Sequence, residues 1–340
     1  MRFKDTCIEA MGYVLPPHVV TSAQLEEAFR PTLDRLGLPP GQLEKLSGVK
    51  ERRWWDPGVQ PSTVAAMAGE KALENARVSR DQIDCLINTS VCRDYLEPAT
   101  ASMVAGKLKL PRHAFCFDIA NACLGFLNGI ATAANMIELG QIQRALVVDG
   151  ESSREPVTAT VHRLNSPLST ADTFRDNFAT LTLGSGAVAA VVTKESLSRN
   201  KHRVNGVVMR SATEYNQLCL GNPTEMKADP HGLLVHGVGL AVETWPFAAD
   251  AFGWKPGARE VDEFVCHQVS LSHFTHTFQQ LELPLEKALL TFPYLGNVGP
   301  ASLPLTLALG EAQGRIVKGK ELCLFGVGSG LGCVVMSVSW

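Results

Sequence analysis

Short apolar runs alternate along this chain with longer amphipathic ones. Cys85-Leu-Ile-Asn-Thr89, Phe115-Cys-Phe-Asp-Ile119, Ala145-Leu-Val-Val148 and the run from Ala187 to Val192 predict strands, and Val64 to Ala76, Ala99 to Leu108 and Leu124 to Glu138 predict helices. Such alternation is the pattern of α/β layering. The second half repeats it with strand-like runs at Phe264-Val-Cys266, Ala288 to Phe292, Leu322 to Phe325 and Val334 to Val338. Asn121-Ala-Cys123 is echoed by Asn297-Val-Gly299, Gly184-Ser-Gly186 by Gly328-Ser-Gly330, and Ile83-Asp-Cys-Leu-Ile87 by Val261-Asp-Glu-Phe-Val265. Echoes in one order predict an internal duplication, with halves at residues 1–195 and 196–340 packed on each other. Residues 151–180 and 213–240 break the pattern and are expected to be irregular insertions around a site.

One corner of this pattern carries chemistry. An apolar strand runs out through Asn121 and a helical pattern begins at Cys123, which puts a thiol at a helix N-terminus beside the small residues Ala122 and Gly125. Unpaired amides and the positive end of the helix dipole favour a thiolate there, the nucleophilic form of cysteine. Cys85, Cys116, Cys266 and Cys323 lie inside apolar runs and are expected in the core. His267 follows the strand Phe264-Val-Cys266, and Asn297 takes the place that Asn121 holds beside the cysteine, so both sit at strand ends, where α/β sites collect. Together an imidazole and an amide can polarise a thioester carbonyl, hold an enolate and relay protons. Taken singly, the histidine reads more readily as a satisfied structural residue and the asparagine as a turn residue.

Gly326-Val-Gly-Ser-Gly-Leu-Gly332 resembles a dinucleotide fingerprint, but it precedes a strand and Leu331 stands where the third glycine belongs. Close backbone approach is the better use, with an amide near Ser329 joining that of Cys123 in an oxyanion hole. His267, His273 and His276 lack carboxylate or thiolate companions at metal-site spacing, so no metal is expected and the last two read as a surface helix face.

Composition narrows the class. The 340 residues, 45% hydrophobic and 19% charged, suffice for two domains or one large duplicated unit. The first residues, Met1 to Ala10, lack the apolar core of a secretory signal, and no apolar run reaches membrane-spanning length, so a cytoplasmic protein is expected. Nine cysteines without a C-x-x-C pair suit free thiols in a reducing compartment. A net charge of −3 without a basic run argues against nucleic acid, leaving any anionic ligand to a local patch.

Asp118-Ile-Ala-Asn-Ala-Cys123, Cys266-His-Gln-Val269, Gly296-Asn-Val-Gly-Pro-Ala-Ser302 and the terminal glycine-rich turn resemble the thiolase superfamily, in particular β-ketoacyl-ACP synthase III and its relatives, over essentially the whole chain. The resemblance implies a five-layered α-β-α-β-α fold, a homodimer, and a Cys-His-Asn triad at Cys123, His267 and Asn297, with the amides of Cys123 and Ser329 as the oxyanion hole. Leu86 to Pro98, Asp149-Gly-Glu151 and Arg210-Ser-Ala-Thr-Glu214 look most like the OleA-type enzymes that join long-chain acyl-CoA molecules in olefin biosynthesis.

That likeness gives Glu97 its importance. A decarboxylating synthase makes its carbanion by expelling carbon dioxide, whereas head-to-head condensation must take a proton from the α-carbon of an ordinary acyl chain and needs a placed carboxylate. The resemblance implies that Glu97 crosses a dimer interface and supplies this base to the neighbouring site. Its bland alternative is a carboxylate complementing the helix that follows Pro98. The expected reaction is non-decarboxylative Claisen condensation of two fatty acyl-CoA thioesters through an acyl-Cys123 intermediate, giving a 2-alkyl-3-oxoacyl product and, by hydrolysis, a β-keto acid. Coenzyme A thioesters are the substrates and no further cofactor is expected, with enzymes of a hydrocarbon or β-lactone pathway downstream. The alternatives are a decarboxylating synthase III using malonyl-ACP, a cysteine-dependent thioester hydrolase, and a non-catalytic partner subunit. Lys50, Arg52 and Arg53 are candidates for the coenzyme A phosphates. Synthase III enzymes usually carry Trp and Arg shortly before Gly48-Val-Lys50, where this chain has Gln42 and Leu46, so the adenine must be held differently.

Overall fold

The computed structural model describes residues 1–340. Its sheet is built from β1 (Thr6–Val14), β2 (Cys85–Asn88), β3 (Phe115–Asp118), β4 (Arg144–Glu151), β5 (Gly186–Lys194), β6 (His202–Ser211), β7 (Glu263–Cys266), β8 (Glu321–Gly328) and β9 (Gly332–Ser339). They lie in the order β7-β8-β9-β6-β1-β5-β4-β2-β3. Only Cys7 and Ile8 of β1 pair across to Arg203 and His202 of β6, so the sheet is two half-sheets joined at a short seam. One half runs β1-β5-β4-β2-β3 and the other β6-β9-β8-β7, the latter extended by a parallel bridge from Phe264 to Ala288. The two halves repeat one topology.

Side chains alternate between faces with the period of a strand. Cys85, Ile87, Ala145, Val147, Leu322, Leu324, Val334 and Met336 face a shared central core. Their neighbours Leu86, Leu146 and Val148 face one outer layer, and Cys323, Phe325, Cys333 and Val335 face the other. The central core is filled by α3 (Gly125–Glu138) and α8 (Ser302–Ala312). One outer layer is α1 (Pro61–Ala76) with α2 (Thr100–Leu108), and the other is α6 (Pro230–Phe252) with α7 (Leu271–Gln280). The result is the α-β-α-β-α stack of the thiolase fold. Helix α8, covered by sheet on both sides, is apolar nearly all round, whereas α3 keeps a polar stripe at Asn128, Thr132 and Asn135.

Two expectations fail. The run from Ala288 to Phe292 forms a single bridge rather than a strand, because the Gln268 side chain takes its backbone groups: Gln268 Oε1 accepts from the amides of Thr291 (2.9 Å) and Phe292 (3.2 Å), and Nε2 donates to the Leu289 carbonyl (2.6 Å). The segments read as irregular contain α4 (Arg154–Leu164), α5 (Ala171–Leu181), a hairpin of Cys219–Asn222 with Glu225–Ala228, and the start of α6. Their apolar positions, Val157, Val161 and Leu164 on α4 and Phe174, Phe178 and Leu181 on α5, form single stripes at helical spacing and pack on Phe29 and Leu33.

Strand β1 lies so close to α1 that a Cβ on Gly12 would stand 2.2 Å from the Ala72 amide nitrogen and 2.6 Å from the Ala68 carbonyl oxygen. Backbone on both sides leaves nothing that can yield cheaply. Gly12→Ala is therefore expected to cost about 1–3 kcal/mol, read as a lower urea midpoint in equilibrium unfolding.

Candidate active site

After β3 the chain turns sharply into α3. Ala122 takes the left-handed conformation (φ +43°), which a residue with a Cβ adopts only under strain, and Ala122–Leu124 form one tight turn that presents Cys123. The end of β8 closes against this turn: a Cβ on Gly328 would lie 3.4 Å from the Cys123 Cβ and 3.0 Å from the Leu124 Cγ. A larger residue there would push the turn away. The backbone amides of Cys123 and Ser329 both reach the Cys123 sulfur, so the two donors expected of an oxyanion hole converge on the nucleophile.

The sulfur is not a resting thiolate, which corrects the expectation from its place at a helix start. Burial pushes the Cys123 thiol up to about 12, the nearby Cys219 thiol and Glu151 carboxylate push the same way, and the two amides offset only part of it. Although the residue is half-exposed towards a cavity, the thiol is enclosed by protein on its other sides. Two amides do not replace lost water.

His267 leaves β7 with its amide donating to the Phe325 carbonyl (2.9 Å), and neither ring nitrogen has a protein partner. Burial, with His273 adding repulsion, lowers its pKa to about 4, so at neutral pH the ring is uncharged and offers one donor and one acceptor. Asn297 is held by its backbone between the Thr182 carbonyl (2.9 Å) and the Gly184 amide (2.8 Å). Its Oδ1 accepts from the Gly299 amide (3.0 Å), which leaves Nδ2 as the free donor. Cys123, His267, Asn297 and Ser329 line one cavity of about 620 Å³ with a mainly apolar wall, including Phe174, Phe178, Met226 and Leu234.

Other sequence candidates are placed differently. Glu97 is exposed, outside this cavity, on the loop between β2 and α2. It does not complement α2: that helix starts at Thr100, and the Asp118 carboxylate accepts from the amides of Thr100 (3.0 Å) and Ala101 (2.8 Å). Arg52 cannot serve a phosphate. It is completely buried, its Nη2 donates to the Ser22 hydroxyl and the Leu181 carbonyl (3.1 Å each), and burial lowers its pKa to about 10. Arg53 is half-buried and donates to the Pro16 carbonyl (3.2 Å), while Lys50 is exposed and outside the cavity wall. Expected on a surface helix face, His273 instead lines the cavity, together with Cys219 and Arg175, which the sequence did not single out. The glycine-rich segment is the hairpin turn between antiparallel β8 and β9, without the helix that a dinucleotide site requires.

The description "3-oxoacyl-[acyl-carrier-protein (ACP)] synthase III" fits residues 117–213, and its C-terminal counterpart fits residues 253–340. The acyl-CoA:acyl-CoA alkyltransferase of Xanthomonas campestris pv. campestris is 43% identical over 340 residues, covering 100% of both chains, and that of Shewanella oneidensis is 38% identical over 100% of both. The chain belongs to the acyl-CoA:acyl-CoA alkyltransferase family. It is thus an acyltransferase of the synthase III type. A crystal structure of a cysteine-to-serine variant of X. campestris OleA with bound lauric acid and lauroyl-CoA superposes with a TM-score of 0.96 at 42% identity, covering 99% of this chain and 100% of that one. No helix in this alkyltransferase-family chain is long and apolar enough to cross a membrane.

With the thiol held near 12 and the imidazole near 4, Cys123 of the free enzyme should react with iodoacetamide slowly at pH 7 and about tenfold faster per pH unit up to pH 10. Mass spectrometry of the Cys123 peptide reads this directly, and a plateau below pH 8 would show a thiolate already present.

Proposed function

We propose that this enzyme condenses two long-chain acyl-CoA molecules head to head, with Cys123, His267, Asn297 and the amides of Cys123 and Ser329 from one subunit and Glu97 from a second copy of the chain. The observation that carries the reading is the division of the groups: nucleophile, imidazole, amide and oxyanion donors share one apolar cavity, and the carboxylate stands outside it on an exposed loop. That loop adjoins β3, the outermost strand of the sheet, whose free edge can pair with another strand. Leu96, 94% exposed, and the exposed Val91, Tyr95 and Phe115 give this side an apolar surface suited to a second copy.

In the first half-reaction the Cys123 sulfur attacks the thioester carbonyl of an acyl-CoA. Its proton passes to neutral His267 and on to the departing coenzyme A thiolate, so that free coenzyme A leaves and an acyl-Cys123 thioester remains. The tetrahedral oxygen is held by the amides of Cys123 and Ser329. In the second, Glu97 of the neighbour takes an α-proton from another acyl-CoA while His267 and Asn297 Nδ2 donate to its thioester oxygen. The enolate carbon attacks the acyl-Cys123 carbonyl, the C–S bond breaks, and the departing Cys123 thiolate takes a proton from His267, which the proton held by Glu97 replaces. A 2-alkyl-3-oxoacyl-CoA results, and water cleaves it to the β-keto acid. The apolar cavity wall suits the alkyl chains, and Arg175 at its rim, with Lys50 and Arg53 farther out, supplies positive charge for the phosphates. The chemistry calls for no cofactor other than the coenzyme A carried by the substrates. It fits a reducing cytoplasmic compartment and a pathway that consumes β-keto acids on the way to hydrocarbons or β-lactones.

With a long-chain acyl-CoA as sole substrate, the wild-type enzyme should yield the condensed product, whereas strict dependence on a malonyl donor would point to a decarboxylating synthase and release of fatty acid alone to a hydrolase. Cys123→Ala should abolish the acyl-enzyme seen by intact-protein mass spectrometry, and Glu97→Gln should keep it and lose condensation. Dimers mixed from the two inactive variants should regain about a quarter of wild-type activity, since half the dimers are heterodimers with one competent site. Normal condensation by Glu97→Ala would refute the base assignment.

A further inference from the structure

The loop that presents Glu97 is tied down at three places. At its far end Asp118 binds the first amides of α2, and near its middle Asp94 accepts from the amide of Ser62 (2.9 Å) and from its hydroxyl. The third tie is Glu151, the last residue of β4. It is 5% exposed, its Oε1 accepts from the Val91 amide (2.6 Å) and its Oε2 from the Cys92 amide (3.3 Å), while the Cys92 thiol donates to the Ser152 carbonyl (3.2 Å). This third tie differs from the others because its carboxylate also faces the reaction centre. Its Cδ lies 3.8 Å from where a Cβ on Gly299 would stand, two residues past Asn297, and its charge bears on the Cys123 thiol.

Behind Glu151 is a second carboxyl that nothing in the proposed reaction uses. Asp149 is fully buried, and its Oδ2 accepts from the Thr89 hydroxyl (2.6 Å) while its Oδ1 has no donor. Burial raises both, Asp149 the more strongly, with Glu151 held at about 7. Glu151 accepts from two backbone amides and Asp149 from one hydroxyl, so the charge of the pair is better held on Glu151. The titratable groups facing Glu151 are Asp149 on its own strand, Cys92 on the loop and Cys123 on the turn before α3.

We infer that Glu151, backed by Asp149, is a positioning residue for condensation: it fixes the loop on which each subunit offers Glu97 to its neighbour, without touching substrate. The inference rests on the in-trans reading of Glu97 for its catalytic consequence, but the anchoring itself does not. Glu151→Gln replaces one acceptor by a donor opposite an amide, so one of the two ties is lost and the loop loosens. A displacement of the base by this loosening lowers a rate on the order of 100-fold.

Four readouts test it. In the Glu151→Gln homodimer, acyl-Cys123 formation should stay within about threefold of wild type while condensation falls by the larger factor, and amide exchange across residues 89–99 should speed up. The rise of the condensation rate with pH near neutrality, which reflects Glu151 gaining its charge, should disappear in the variant. In dimers mixed from Cys123→Ala and Glu97→Gln chains, adding Glu151→Gln to the Cys123→Ala chain, which lends the base, should remove the recovered activity; adding it to the other chain should not. Unchanged exchange in the loop, equal loss of acylation and condensation, or equal effects from both chains would each overturn the inference. Mixed dimers that never recover activity would instead overturn the in-trans role of Glu97, and the exchange measurement would still decide the anchoring.

Discussion

The withdrawal of the reaction centre from water governs the chemistry of this enzyme. Two half-sheets meet along a seam of two residue pairs and clamp α3 and α8 between them, so the turns that lead into those helices are covered by strands from both halves. Cys123 sits on one such turn and Asn297 on its counterpart, with His267 at the end of β7 facing both through one cavity. Desolvation drives thiol and imidazole in opposite directions, to about 12 and about 4, and both rest uncharged. A neutral pair incurs no ion-burial penalty while the cavity is empty. Charge then appears only as the sulfur bonds to the carbonyl carbon, where the amides of Cys123 and Ser329 already wait for it.

The same dryness explains why the carboxylate belongs elsewhere. A glutamate inside the apolar cavity, without the two backbone amides that hold Glu151, would be driven neutral, and a protonated acid takes no proton from an α-carbon. In the proposed reaction Glu97 stands instead on an exposed loop of the second copy. Exposure alone would leave it unplaced. The ties at Asp94, Asp118 and Glu151 therefore serve the loop as a second layer of hydrogen bonds serves a metal site: they fix where a side chain stands while its tip stays free.

Much of this was legible in the sequence, and the failures share a physical cause. Short apolar runs such as Ala145 to Val148 and the repeated Asn-x-Cys and Asn-x-Gly corners specified the sheet and the sites on it because backbone geometry sets those patterns. The elements missed were α4 and α5, each with a narrow apolar stripe on a polar helix, and the segment at Ala288, whose backbone bonds go to the side chain of Gln268, far away in sequence. Ionisation states were misjudged for the same reason. A cysteine at a helix start suggests a thiolate, and an arginine beside a basic cluster suggests a phosphate site; yet Cys123 and Arg52 are governed by how much of their surroundings is protein, which no local motif records.

Dryness also bears on the fate of the acyl-enzyme. A thioester on Cys123 can be attacked by water or by an enolate, and the oxyanion amides assist either nucleophile equally. Selection must come from access. The apolar wall disfavours water, whereas a second acyl chain gains about 0.8 kcal/mol for each methylene it buries there. In the proposed reaction the carboxylate that makes the enolate enters from a second copy, so an isolated chain would hold an acyl group without the means to extend it. Condensation thus depends on three conditions met together, a dry cavity, a second apolar chain and a placed base; the cavity supplies the first two, and in the proposed reaction the loop of a second copy supplies the third.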